Sequence, residues 1–135
     1  MRIFRCRYKY LLLSGLAVIP LAACSTTIER TQLQEKLLKS PASLTIDVRS
    51  AEEYNAGHIP GALHIPFYSV VSGLESRAIP KDEPIVIYCE HGPRAGLAGI
   101  ILYFHGYGKV SSLEGHMRGW REGGLPVETL NRVNP

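Results

Sequence analysis

The stretch Ile85–Gly96, which reads IVIYCEHGPRAG, predicts the centre of the fold. Its first four residues, Ile85–Tyr88, are apolar and β-branched or aromatic, which is typical of a strand buried on both faces of a parallel sheet. Beyond the following loop, apolar residues recur at helical spacing: Leu97, Ile100, Ile101 and Phe104. Pro93 fits the first turn of this helix and Gly106 its end. Cys89 is therefore expected between the end of a strand and the start of a helix.

The position of Cys89 predicts a reactive thiol. Only four residues separate it from Arg94, so the backbone N–H groups of this short loop are expected to curl around the sulfur, and the helix N-terminus adds partial positive charge. Both effects favour the thiolate, which is the nucleophilic form. Arg94 adds a planar cationic donor, Glu90 opposes the effect, and His91 supports it when protonated. The alternative is that Cys89 is a small buried hydrophobic residue, but its polar neighbours favour the reactive interpretation.

The run CEHGPR, Cys89 to Arg94, resembles the six-residue active-site loop of single-domain rhodaneses, the sulfurtransferases that carry sulfur as a cysteine persulfide. The resemblance implies that Cys89 and Arg94 are catalytic. It implies a substrate-binding loop made of the four residues between them: Glu90, His91, Gly92 and Pro93. Related phosphatases and arsenate-handling enzymes typically have one more residue between the cysteine and the arginine, which widens the cradle for a tetrahedral oxyanion. The shorter loop favours sulfur.

The segment Asp47–Pro66, DVRSAEEYNAGHIPGALHIP, resembles the N-terminal signature of rhodanese domains. The resemblance implies that Asp47 and Arg49 lie beside the active loop and brace it by hydrogen bonding, as supporting residues. The alternative for this pair is a buried ion pair or cap without a chemical role. His58 is interpreted as a residue that stabilises a turn and not as a catalytic base.

The C-terminal part resembles the rhodanese signature of a paired glycine, a Trp and Gly-Leu-Pro, here Gly119–Trp120 and 124–127. His116 stands where the second glycine of the pair is usual. This departure either narrows the mouth of the active site or shows that the backbone needs no special dihedral there. Trp120 is expected in the core. Arg118 and Arg121 are expected in solvent, with attraction of anionic donors as an alternative role for Arg118.

The remaining patterns predict alternating strands and helices, and hence an α/β fold. The first expected helix runs from Thr31 to about Ser40 with a Thr31–Gln34 capping box, and a strand follows at Leu44–Val48. The second helix is capped by Ser50 and Glu53 and closed by Gly57, and a strand follows at Leu63–Ile65. A loop with one helical turn is expected from Phe67 to Glu83, a last strand at Lys109–Leu113 and a last helix from Glu114. We expect a rhodanese-like central parallel sheet of about five strands with helices on both faces. Ligands of such sheets bind beyond the carboxyl ends of the strands, where Cys89 falls.

Residues 1–23 are predicted to be a lipoprotein signal peptide. A basic start precedes Leu11–Ile19, an apolar run too short to span a bilayer. Leu21–Cys24, LAAC, resembles a lipobox, which implies cleavage before Cys24 and acylation of that cysteine; an ordinary secretory signal that contains a cysteine is the alternative. Two chemically distinct acylations anchor a protein stably. The expected division is a signal peptide at 1–23, lipidated Cys24 with a polar tether at 24–30, and the rhodanese-like domain at 31–135.

We therefore expect the protein to lie in the bacterial cell envelope, facing the periplasm, and Ser25 after the lipidated cysteine favours the outer membrane over the inner one. The formal charge of +3 belongs to the chain before cleavage. Removal of residues 1–23 leaves 11 basic side chains against 12 acidic ones, a net charge of −1. No basic patch for nucleic acid is predicted. Cys6 leaves with the signal peptide and Cys24 carries lipid, so Cys89 is the lone free thiol and no intramolecular disulfide is expected.

The predicted reaction is a double displacement through a Cys89 persulfide, from a sulfane donor such as thiosulfate to a thiol or cyanide acceptor. Glu90 beside the sulfur is expected to repel the thiosulfate dianion. No cofactor is expected, and no metal, because no His or Cys pair has ligand spacing. Three alternatives stay open: a phosphatase or arsenate reductase on the same fold, a tethered binding module without turnover, and a persulfide relay or redox-sensing thiol with a protein sulfur acceptor as its partner.

Overall fold

The computed structural model describes residues 26–38 and 44–130. Within these ranges the strands are β1 (Thr26–Ile28), β2 (Leu44–Asp47), β3 (Leu63–His64), β4 (Ile85–Tyr88) and β5 (Val110–Leu113). The helices are α1 (Arg30–Leu38), α2 (Ala51–Ala56), α3 (Val70–Glu75), α4 (Pro93–Phe104) and α5 (His116–Glu122), with a 3₁₀ turn at Phe67–Ser69. The five strands pair in parallel in the order β1-β5-β4-β2-β3. The predicted α/β class with a parallel sheet is confirmed.

Strand β4 is central, as its uninterrupted apolar sequence predicts. It lies between β2 and β5, and all its residues are buried. Successive side chains of a strand point to opposite faces, so β4 contributes to two cores. Ile85 and Ile87 join the core under α3 and α4, whereas Val86 and Tyr88 join the core under α1 and α5. Trp120 of α5 belongs to the second core, as predicted.

The polar tether predicted at 24–30 is wrong from Thr26 onward. Thr26–Ile28 pairs with β5 as an edge strand, and Ile28 is buried. Three residues with one apolar member carry too little alternation to reveal a strand. The Thr31–Gln34 capping box is also wrong, because α1 already begins at Arg30 and Thr31 lies inside its first turn. The predicted end of this helix near Ser40, the signal peptide at 1–23 and Cys24 lie outside the described residues.

The predicted capping box of α2 is confirmed. The Ser50 hydroxyl accepts a hydrogen bond from the Glu53 N–H, and the Glu53 carboxylate accepts one from the Ser50 N–H. The segment 67–83 holds more helix than predicted, since α3 follows the 3₁₀ turn directly. Helix α3 buries only Val70 and Leu74, and one such pair is too little periodicity to predict a helix from sequence.

Helix α4 exists where predicted, but its buried face is not the one its large apolar residues suggest. The residues packed against the sheet are mostly small: Ala95, Ala98 and Leu102. A Cβ on Gly99 would lie 3.4 Å from the Cδ1 atom of Ile87, so this glycine permits close packing, whereas Gly96 faces open space. No helix in the described part of the chain is long and apolar enough to cross a membrane.

Candidate active site

Cys89 directly follows β4, and the loop after it folds around the sulfur as predicted. The backbone N–H of Gly92 donates to the Cys89 Sγ atom at 3.0 Å. Gly92 has a φ of 122°, which favours glycine, and Pro93 is the first residue of α4. The Cys89 side chain is 1% exposed, and it forms part of the wall of an open pocket of about 280 Å³. The other residues that line this pocket are Glu53, Glu90, His91, Pro93 and Arg94.

Arg94 is paired with Glu53 of α2. Its Nη1 and Nη2 atoms donate to the two carboxylate oxygens at 2.6 and 2.7 Å. These hydrogen bonds lower the pKa of Glu53 to about 2. The same pairing raises the pKa of Arg94. The sequence identified Glu53 only as a helix cap, because the 41 positions between the two residues leave no local signal of their contact.

Asp47 and Arg49 form a buried ion pair, with exposures of 0% and 2%. The Nε and Nη2 atoms of Arg49 donate to the Asp47 carboxylate, and Nη2 also donates to the Gly57 carbonyl oxygen at 2.7 Å. The remaining Nη1 atom donates to the Glu90 carboxylate at 3.2 Å. The pair is therefore buried and also touches the active loop, which combines the two interpretations that the sequence left open.

Glu90 is held by two arginines. Besides Arg49, Arg121 of α5 donates to its carboxylate. The prediction that Arg121 is a solvated side chain is incomplete, because the guanidinium is half exposed yet paired with the loop. Arg118 is exposed and pairs with Glu122 one turn along the same helix. The repulsion of anionic donors expected from Glu90 is offset by its two cationic partners.

His116 closes the other side of the loop. Its φ is 51°, so the backbone does need the left-handed conformation that a glycine would adopt without strain. The Nδ1 atom accepts a hydrogen bond from the Cys89 N–H at 3.4 Å, and a Cβ on Gly92 would lie 3.0 Å from Nε2. The interpretation that the backbone needs no special dihedral at this position is therefore wrong, and a narrowed mouth of the active site stays a prediction. Burial, aided by the nearby His91, lowers the pKa of His116, which favours the neutral ring that can accept this bond.

The two other histidines considered from the sequence, His91 and His58, lie in different environments. His91 is exposed at the rim of the pocket. His58 is buried in the turn before β3, where its Nδ1 lies 2.9 Å from the Tyr54 carbonyl oxygen and its ring stacks on Tyr54. In residues 26–38 and 44–130, no group of three or more His, Cys, Asp or Glu side chains could hold a metal ion.

The arrangement can hold a negatively charged sulfur. The N–H groups of a tight loop at a helix N-terminus concentrate partial positive charge on one point, and the Gly92 N–H already points at Sγ. A second sulfur bonded to Cys89 would extend into the pocket bounded by the loop and Arg94. The geometry suits a nucleophile that becomes covalently loaded with a small group.

The amino-acid sequence of this chain is similar to that of a known protein family. The family model of the rhodanese-like domain matches residues 29–123. A sulfurtransferase of Allochromatium vinosum is 35% identical over 100 residues, which cover 74% of this chain and 92% of that protein. The thiosulfate sulfurtransferase GlpE of Actinobacillus succinogenes is 30% identical over 99 residues, 73% of this chain and 87% of that protein.

Other relatives are larger proteins that are named as hydroxylases. A tRNA uridine(34) hydroxylase of Escherichia coli is 34% identical over 123 residues, and the match covers 84% of this chain but 35% of that protein. Among solved structures, the crystal structure of the Alr3790 protein from Anabaena sp. superposes with a TM-score of 0.72 at 30% identity, covering 78% of this chain and 84% of that one. The chain therefore belongs to the family of rhodanese-like domains.

Proposed function

We propose that this protein is a sulfurtransferase that carries sulfane sulfur as a persulfide on Cys89. The observation that supports the proposal is the 3.0 Å hydrogen bond from the Gly92 N–H to the Cys89 sulfur, inside a loop between the central strand and α4. The sulfurtransferases among its relatives support the same kind of activity.

The reaction is a double displacement. The Cys89 thiolate attacks the outer sulfur of thiosulfate, the S–S bond of the donor breaks, and sulfite leaves with the electron pair. The new S–S bond leaves an anionic terminal sulfur on Cys89, which loop N–H groups stabilise in the manner of an oxyanion hole. Cyanide or a thiolate then attacks this terminal sulfur, and Cys89 leaves as the thiolate. No general base is needed while the thiolate persists.

The charges around the loop make thiosulfate a usable but not a favoured donor. The arginines that reach the loop already pair with carboxylates, Arg94 with Glu53, Arg49 with Asp47 and Glu90, and Arg121 with Glu90. A dianion would therefore rely on backbone N–H groups more than on an uncompensated guanidinium. We expect a high KM for thiosulfate and a lower one for a sulfane donor of smaller charge.

Steady-state kinetics separates this proposal from its alternatives. With thiosulfate and cyanide varied together, formation of thiocyanate should give the parallel double-reciprocal lines of a double displacement, and Cys89→Ala should give none. Hydrolysis of an aryl phosphate without thiocyanate formation would move the assignment to a phosphatase. Absence of both activities in a folded protein would favour a binding module.

The proposal includes a lipid anchor at Cys24 and a location in the cell envelope, on the periplasmic side. Its support is the sequence LAAC at Leu21–Cys24 after a basic and apolar start. Cells that express the full chain and are labelled with a radioactive fatty acid should incorporate label into the wild type and not into Cys24→Ala. A labelled Cys24→Ala chain, or an unlabelled wild type, would remove the anchor from the proposal.

A further inference from the structure

The side of α4 that faces away from the sheet is apolar. Its large side chains are substantially exposed, Leu97 at 46%, Ile100 at 58%, Tyr103 at 71% and Phe104 at 79%. We call these four residues the α4 face. A helix on a water-exposed surface normally turns charged or polar residues outward, yet no charged residue occurs in α4 after Arg94. A surface of this kind is typical of a contact with another apolar surface.

The last turn of α4 lies at the end of the sheet where Thr26, the first described residue, begins β1. Helix α4 runs back from the carboxyl end of β4, and Lys109, five residues after Phe104, accepts a hydrogen bond from the N–H of Ile85, the first residue of β4. Thr26 begins β1 at this same end and donates through Oγ1 to the Val110 carbonyl oxygen at 3.1 Å. The last turn of α4 and the start of β1 therefore lie at the amino ends of the strands.

The segment that joins the predicted lipid anchor on Cys24 to β1 is short. Cys24 precedes Thr26 by two residues, which span at most about 7 Å when fully extended. A lipid on Cys24 would hold the amino end of the sheet close to the bilayer surface. Since α4 packs on β4 and β5, and β5 is the neighbour of β1, the α4 face is within reach of the same surface.

We infer that the α4 face lies against the phospholipid bilayer that carries the lipid on Cys24, with Tyr103 and Phe104 among the headgroups. This inference rests on the proposed lipid anchor. Aromatic side chains favour the membrane–water interface, and an uncharged apolar helix face buries its area there without a complementary protein surface. The active loop lies at the first turn of α4, about 17 Å along the helix from Phe104. Because Tyr103 and Phe104 make the contact with the headgroups at the far end of the helix, water-soluble donors would still reach Cys89.

Tryptophan quenching by lipid tests the inference on the full chain. The chain is produced in a bacterium that processes lipoproteins and is reconstituted into vesicles of phosphatidylethanolamine and phosphatidylglycerol, with or without brominated acyl chains. Phe104→Trp reports on the α4 face, and the wild type supplies the signal of the buried Trp120. Leu130→Trp is the matched control, because Leu130 is 55% exposed, does not belong to the α4 face and has its backbone N–H bonded to the Asn55 carbonyl oxygen of α2. Brominated lipid should quench Phe104→Trp at least twofold more than Leu130→Trp.

The other outcomes overturn the inference in distinguishable ways. A chain that floats with the vesicles while Phe104→Trp is not quenched would retain the anchor but remove the contact of α4 with lipid. If cross-linking then yields a dimer through α4, the face belongs to a second copy. A chain that does not float would overturn both the anchor and the inference. Sulfur loading of Cys89, measured by mass on the same samples, is independent of each result.

Discussion

Arg94 and Glu53, 41 positions apart in the chain, form an ion pair with two hydrogen bonds that joins the active loop to α2. Glu53 is itself fixed by the capping box with Ser50. The position of the arginine therefore depends on the start of a helix from another part of the sequence. With both Nη atoms engaged by a carboxylate, Arg94 in this structure positions the loop, and its charge is compensated before any substrate arrives.

Arg94→Lys should lower kcat for sulfur transfer about tenfold, with a smaller change in KM. A lysine is a point charge that cannot form two parallel hydrogen bonds with Glu53, so the loop around Cys89 should lose its fixed geometry. Thiocyanate formation at saturating and limiting thiosulfate separates the two constants. Arg118→Lys is the matched control, since the Arg118 side chain is exposed and pairs with Glu122 of the same helix. An unchanged kcat in Arg94→Lys would contradict the positioning role.

The Arg94–Glu53 pair should stabilise the protein across the neutral and mildly acidic range. The pKa of Glu53 falls from 4.5 to about 2, so the folded state favours the carboxylate. The stabilisation is present above about pH 4.5 and is lost as the pH falls from there toward 2. Glu53→Gln removes the charge and retains a residue suited to the capping box. The gap in thermal midpoint between wild type and variant should be constant from pH 7 to 5 and shrink below it. A gap that stays constant below pH 4 would contradict this assignment.

At position 116, glycine should be more stable than alanine by about 1 kcal/mol, because the left-handed backbone strains any residue with a Cβ. Both variants lose the imidazole, so their difference in free energy of unfolding isolates the backbone term. The ordinary helical order, alanine above glycine, is expected at the exposed Arg118 of the same helix. Denaturant unfolding of the four variants measures both differences. Equal orders at the two positions would show that the φ of His116 costs nothing.

Glu90→Gln should lower the KM for thiosulfate several-fold while kcat changes little. The substitution removes the carboxylate paired with Arg121 while Arg49 retains Asp47, so the net charge beside Cys89 becomes more positive and attracts a dianionic donor. The effect should weaken as ionic strength rises. Glu122→Gln, which removes a carboxylate from an exposed pair on α5, should leave the KM unchanged. Unaltered donor kinetics in Glu90→Gln would show that Glu90 does not govern donor charge.

Local signals in the sequence predicted the frame of the site. The apolar run of β4, the short loop to Arg94 and the proline at the start of α4 lie within one stretch of chain, and each has a direct structural meaning. The capping box of α2 was readable for the same reason. The partners of the charged loop residues Arg94 and Glu90 could not be predicted, because Glu53 and Arg121 reach the loop only through the tertiary fold.

The faces of the elements were harder to predict than their existence. The spacing of Leu97, Ile100 and Phe104 correctly indicates a helix, but small residues pack closer to a sheet than large ones, so the opposite side of α4 is buried. Strand β1 is defined by its pairing with β5 and not by its own three residues. Periodicity shows that a helix has an apolar side, and the fold decides whether that side meets the core.

Persulfide formation on Cys89 is tested most directly by the intact mass of the chain that starts at Ser25, after reduction and brief exposure to thiosulfate or a thiol-based sulfane donor. This chain retains every strand and helix of the structure. We expect a gain of one sulfur atom that cyanide removes and that Cys89→Ala never shows. A Cys89 that alkylates readily but gains no sulfur from either donor would contradict it.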